Sequence, residues 1–153
     1  MGLVGVLATV ALISQGALSP PLDIQVLEAT FVQQELVGGR LNEVPTTRIK
    51  YAPGKSCYSW ILRVIPQDAS VTLQENFRLP APATQWNSDP ATTIVSSRKS
   101  EATTIVPESL EDGILTHGWC VAEGDPTGKH EIEVFHNDRL LHRFKFEVSE
   151  ELY

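Results

Sequence analysis

From Asp23 to the end of the chain, apolar and polar residues alternate with a period of two in short stretches, and no window carries a sustained helical stripe. Alternation of this kind places every second side chain on one face of an extended strand, so each stretch needs a facing sheet to cover its apolar row. The stretches run over Asp23 to Gln33, Arg48 to Tyr51, Ser56 to Ile65, Val71 to Leu79, Thr92 to Ser97, Thr103 to Val106 and Ile114 to Ala122, followed by a terminal pair. Between them stand turn formers: Gly38-Gly39, which opens a polar connection, Ala52-Pro53-Gly54, Pro66-Gln67-Asp68, Glu108 to Gly113, and Glu123 to Gly128. Ten Gly, ten Pro and a charged content of 20% fit a β-rich chain with many turns better than a helical bundle. The pattern predicts an all-β chain, an immunoglobulin-like antiparallel β-sandwich of about eight or nine strands.

The terminal pair can be registered on paper. A three-residue loop at Asn137, Asp138 and Arg139 sets Ile132 against Phe144, Val134 against His142 and His130 against Phe146 on one face, with Glu133 against Arg143 and Glu131 against Lys145 on the other. Every pair is chemically matched. A two-residue Asn-Asp loop would set Ile132 against Arg143 and Glu131 against Phe144, mixing core and solvent faces, so the sequence predicts the longer loop.

At 153 residues the chain has the length of one domain, and 42% hydrophobic content suffices for its core. A formal charge of −7 argues against a nucleic-acid partner, which requires a basic surface, and against binding to anionic membranes. Leu3 to Ile13 is an uncharged apolar run followed by small residues, which predicts a secretory signal over residues 1–19 and a single β-sandwich domain over 20–153. The run is too short for a confident membrane span. The competing reading is an uncleaved anchor or a buried first strand. Export places the mature chain in the periplasm or outside the cell, with no stable membrane insertion after processing.

Gly118-Trp119, then Gly124-Asp125-Pro126 and Gly128, then the block from Glu131 to Val148 resemble the end of an exported bacterial family known as domain of unknown function 3859. Ile24 to Glu28, Ala52-Pro53-Gly54 before the aromatic strand and a Pro-bearing loop after Leu79 extend the resemblance over nearly all of the mature chain. The resemblance implies an immunoglobulin-like sandwich. It implies no activity and no catalytic residues, and neither Cys57 nor Cys120 belongs to its pattern.

Several residues invite a chemical role. Cys57 and Cys120 are the two cysteines, and a bond between them would be worth roughly 4 kcal/mol in an oxidising compartment. Both stand out of step with the apolar rows of their strands, so they could bond only from neighbouring strands of one sheet; two separate cysteines are the alternative. His117, His130, His136 and His142 all fall in the last third, and the hairpin register brings His136 and His142 to one face as candidate zinc or copper ligands. His142, in the apolar row, also reads as a packed histidine. Glu75 interrupts the row of Val71, Leu73, Phe77 and Leu79, either at an open edge or as a carboxylate that reaches solvent, or else as a functional, buried acid with a shifted pKa. Glu108, Glu111 and Asp112 lack the order of a calcium loop and read as a solvated turn.

No nucleophile elbow, phosphate loop or zinc-protease motif occurs, so the chain reads as no enzyme and as needing no cofactor. Trp60 and Trp119 sit in apolar rows and read as core. Trp86 is different, because it stands in the long loop from Pro80 to Ala91, where an indole can stack on a sugar or anchor a protein partner, or fold back over the end of the sandwich. The leading expectation is an exported binding or structural module of the bacterial envelope with an unidentified protein or glycan partner. A His/Cys metal-binding envelope protein is the alternative.

Overall fold

The computed structural model describes residues 23–66 and 70–151. The expected signal segment, residues 1–19, lies outside them. The described chain is all β, in two antiparallel-rich sheets packed face to face. One sheet holds β2 (Arg40–Pro45), β1 (Gln25–Val37), β4 (Cys57–Ile65) and β8 (Ile114–Cys120), in that order. The other holds β3 (Arg48–Lys50), β10 (Arg139–Ser149), β9 (Gly128–His136), β5 (Ser70–Arg78), β7 (Glu101–Ser109) and β6 (Thr93–Val95). Among the described strands, β3 and β10 are the one pair that runs parallel. No helix among the described residues is long and apolar enough to cross a membrane.

The alternation builds this directly. Tyr58, Trp60, Leu62 and Val64 of β4 are buried while Arg63 and Ile65 are exposed, and β5 buries Val71, Leu73, Glu75 and Phe77 opposite them. Between the sheets, Phe31 of β1 stacks on Phe146 of β10 with ring centroids 4.5 Å apart, and Tyr58 meets the same ring at 4.8 Å. Such aromatic contacts add to the burial that holds sandwich layers together.

The described residues form ten strands rather than eight or nine, and the added one is β2, within the stretch expected as a polar connection. All six residues of β2 are exposed. It pairs with β1 alone, through contacts such as Leu36 with Leu41, and with no sheet covering either face its sequence carries no alternating row.

The terminal hairpin has the expected pairs but a different loop. Val134 faces His142, Glu133 faces Arg143 and Ile132 faces Phe144. The loop itself is two residues long, with Asn137 at φ 48° and Asp138 at φ 62°, and His136 pairs with Arg139. A bulge between Leu140 and His142 then shifts the register by one residue. Asn and Asp tolerate the left-handed conformation that this tight turn needs, and the bulge restores the match of apolar faces that strict pairing would have lost.

Candidate functional site

Glu75 projects from the middle of β5 into the sandwich and is fully buried. Three donors from the opposite sheet converge on it. The indole N–H of Trp60 donates to Oε2 at 2.5 Å, and the indole N–H of Trp119 donates to Oε1 at 2.7 Å. His117 Nδ1 lies 2.9 Å from Oε2. Trp60 stands on β4, while His117 and Trp119 share the inward row of β8, so one carboxylate ties both strands to the facing sheet. The edge reading of Glu75, with its carboxylate in solvent, is therefore overturned: β5 is flanked by β9 and β7 and lies inside its sheet. A buried charge is tolerable only with this degree of pairing. Burial works against the proton on His117, but its hydrogen bond to Glu75 and the charges of Glu75 and Glu108 outweigh that, and its pKa is raised.

Beyond Trp119 the sandwich opens into a cleft of about 530 Å³. Its floor is Tyr58, Phe77 and Leu79, one wall is β8 with Trp119, and the other is the loop after β5 with Gln85, Trp86 and Asn87. The turn from Val121 to Asp125 closes the rim. The loop is held in place along its length. Lys99, at φ 57°, offers its carbonyl both to the Ala83 N–H and to the Trp86 indole N–H, each at 2.9 Å, and Leu79 N–H donates to Ser100 O at 2.8 Å.

Trp86 is half-buried: it stands edge to face against Phe77 at 5.5 Å and against Trp119 at 5.8 Å, and it also lines the cleft. The two readings of this ring, folded back and available for contact, thus describe one position. Trp60 is wholly core, whereas Trp119 is half-buried and shared between the carboxylate cluster and the cleft wall. Asp125 accepts the Ala122 N–H at 2.7 Å, and its pKa is raised because burial outweighs that hydrogen bond.

Cys57 and Cys120 lie directly opposite each other on β4 and β8 and are bonded, on the outward face of their sheet. Cys120 lines the cleft and, being bonded, offers no thiolate to a metal. His136 and His142 do share the inward face of the terminal hairpin, but no group of three or more His, Cys, Asp or Glu side chains among the described residues is placed to hold a metal. His142 instead packs on Phe144 at 4.5 Å, and burial lowers its pKa.

The Glu75 cluster was half visible in the sequence. Two indoles in apolar rows each carry an N–H that needs a buried acceptor, and one acid interrupts an apolar row elsewhere. What the sequence could not supply was that β4, β5 and β8 face one another. A second depression, near Arg48, Arg78, Lys129 and Lys145, is more basic, but Arg78 and Lys145 are already paired with Glu131 there.

Comparison with known proteins agrees with the architecture. A family model described as the PM0630 beta sandwich domain matches residues 28–149. Among solved structures, an immunoglobulin-like protein from Pseudomonas aeruginosa superposes with a TM-score of 0.58 at 17% identity, covering 84% of this chain and 98% of that one. At that identity the likeness concerns the fold alone. No curated protein matches in sequence.

Proposed function

The chain belongs to the PM0630 beta sandwich domain family, and from that premise we propose that it is an exported, non-catalytic binding module of the bacterial cell envelope that takes a protein or glycan partner in the cleft beside Trp86. The observation that carries the reading is the cleft itself: apolar and aromatic walls, a few polar groups at the rim, and a volume of about 530 Å³, within the usual range for ligand sites. The loop is pinned by backbone hydrogen bonds rather than left to order on binding, which lowers the entropic cost of association. Both oxygens of Glu75 are occupied by donors, so the buried acid holds aromatic rings in place and has no access to a substrate. A disulfide suits an oxidising compartment and supports the export reading. We propose kinship with the exported 3859 family on the same turn and packing residues that carry the resemblance.

Two measurements test this. Mass spectrometry on protein from the native host is expected to find a chain beginning between Ala17 and Leu22; an intact Met1 in a cytosolic fraction would overturn export. A photo-cross-linking residue at Gln85 in living cells is expected to capture a defined envelope component, while one at Asp138, at the other end of β9, captures none. Equal capture at both positions would remove the cleft as the site.

A further inference from the structure

The cleft has an electrical character as well as a shape. Asp125 and Glu123 are the charged residues among those lining it, and no Lys, Arg or His of the described residues does so. The remaining polar side chains at the mouth are the amides Gln85 and Asn87, which carry no charge. His117, the partner of Glu75, is not part of the lining.

The aromatic walls add to this. Trp86 meets Trp119 at 80° and Phe77 at 90°, edge to face in both cases, so the three rings pack against one another as an aromatic lining of the cleft. An indole face is the best aromatic surface for a cation, because the ring quadrupole is negative above the plane. Trp119 also donates its N–H to the Glu75 carboxylate, which polarises the ring towards greater electron density. The phenol of Tyr58, at the floor, is held well above its ordinary pKa chiefly by burial and then by the charges of Asp125 and Glu75.

Resting on the reading of the cleft as the binding site, we propose that it is built for an organic cation, an alkylammonium or guanidinium group seated in the cleft against the wall formed by Trp86 and Trp119, with Asp125 and Glu123 as counter-charges. A lysine or arginine side chain of a partner polypeptide and a small quaternary amine share this chemistry. A glycan without positive charge does not.

The test follows the three indole N–H signals by NMR on the folded, disulfide-bonded protein, with Trp60, which is core, as the internal control. Probes are the N-acetyl methylamides of lysine, arginine and norleucine, tetramethylammonium, and maltose. Saturable shifts at Trp86 and Trp119 with the cations, about fivefold weaker with neutral norleucine and weakened further by salt, are expected. Tighter binding of the amino-acid amides than of tetramethylammonium assigns the cation to a polypeptide, and the reverse order to a small quaternary amine. Glu123→Gln, at an exposed position, and Asp125→Asn, which keeps an acceptor for the Ala122 N–H, are each expected to weaken cation binding several-fold while leaving the Trp60 signal in place. Norleucine binding as tightly as lysine, or maltose alone producing shifts, would overturn the cation assignment and leave the cleft a binding site. Silence with every probe would overturn both.

Discussion

Trp119 donates its indole N–H to Oε1 of Glu75 at 2.7 Å, from the edge strand of one sheet to an interior strand of the other, and the same ring forms a wall of the cleft. The stability of the sandwich and the shape of its candidate site therefore share one hydrogen bond.

Glu75→Gln keeps the volume but turns one acceptor into an N–H₂ group facing indole donors. At a fully buried position this leaves at least one donor unsatisfied, and the variant is expected to lose about 2–4 kcal/mol in urea denaturation. A loss below about 0.5 kcal/mol would mean that the cluster contributes little.

His117 links the same cluster to pH. Its pKa is raised above the imidazole value of 6.5, so its contribution to stability is fully present below that value and is lost as pH rises through the folded pKa. The gap in melting temperature between the protein and His117→Gln is expected to be widest near the low end of a scan from pH 6 to 9 and to close towards the high end. A gap that widens with pH would reverse the assignment of His117 as a donor to Glu75.

The Cys57–Cys120 bond closes a sequence separation of 63 residues. Constraint of the unfolded chain by such a loop is worth about 4 kcal/mol. Denaturation of the double Cys57→Ser, Cys120→Ser variant is expected to lose about 2–4 kcal/mol while the β-sheet circular dichroism signal persists, because the β4–β8 ladder remains. Unchanged stability would show that the bond adds nothing to a ladder already in place.

Gly118 is needed for close approach. A Cβ at this position would lie 2.5 Å from Ser59 Oγ and 2.9 Å from the backbone oxygen of Tyr58, and the backbone contact cannot be relieved by a rotamer change. Gly118→Ala is expected to cost about 1–3 kcal/mol. Adding Ser59→Ala should recover only part of that loss, measured as a double-mutant cycle; full recovery would place the whole clash on the serine hydroxyl.

Trp86→Ala is expected to lower the melting temperature as well as binding, because the ring is half-buried against Phe77 and Trp119 and its N–H is bonded to Lys99 O. A variant that lost binding with no change in melting temperature would mean that the ring is free of the core.

Much of this architecture was legible along the chain. The alternating rows of β4, β5, β9 and β10 are local facts: a strand with one covered face must write its burial into every second residue. The terminal register could likewise be worked out, since matched faces constrain pairing, though not the two-residue turn with its compensating bulge, which produces the same pairs by another route. What escaped was whatever depends on which strands become neighbours. β2 has no covered face and hence no pattern. Cys57 and Cys120 pointed outward on parity, yet only the adjacency of β4 and β8 brings them opposite each other. Glu75, Trp60 and the pair His117 and Trp119 stood in three separate rows, and the sheet packing alone makes them one cluster with Trp86 at its margin. The sequence by itself determines periodicity, and with it the fold class, because burial acts on each strand separately. The tertiary structure decides the cluster and the cleft, because convergence of side chains from different sheets is set by long-range packing that no local spacing encodes.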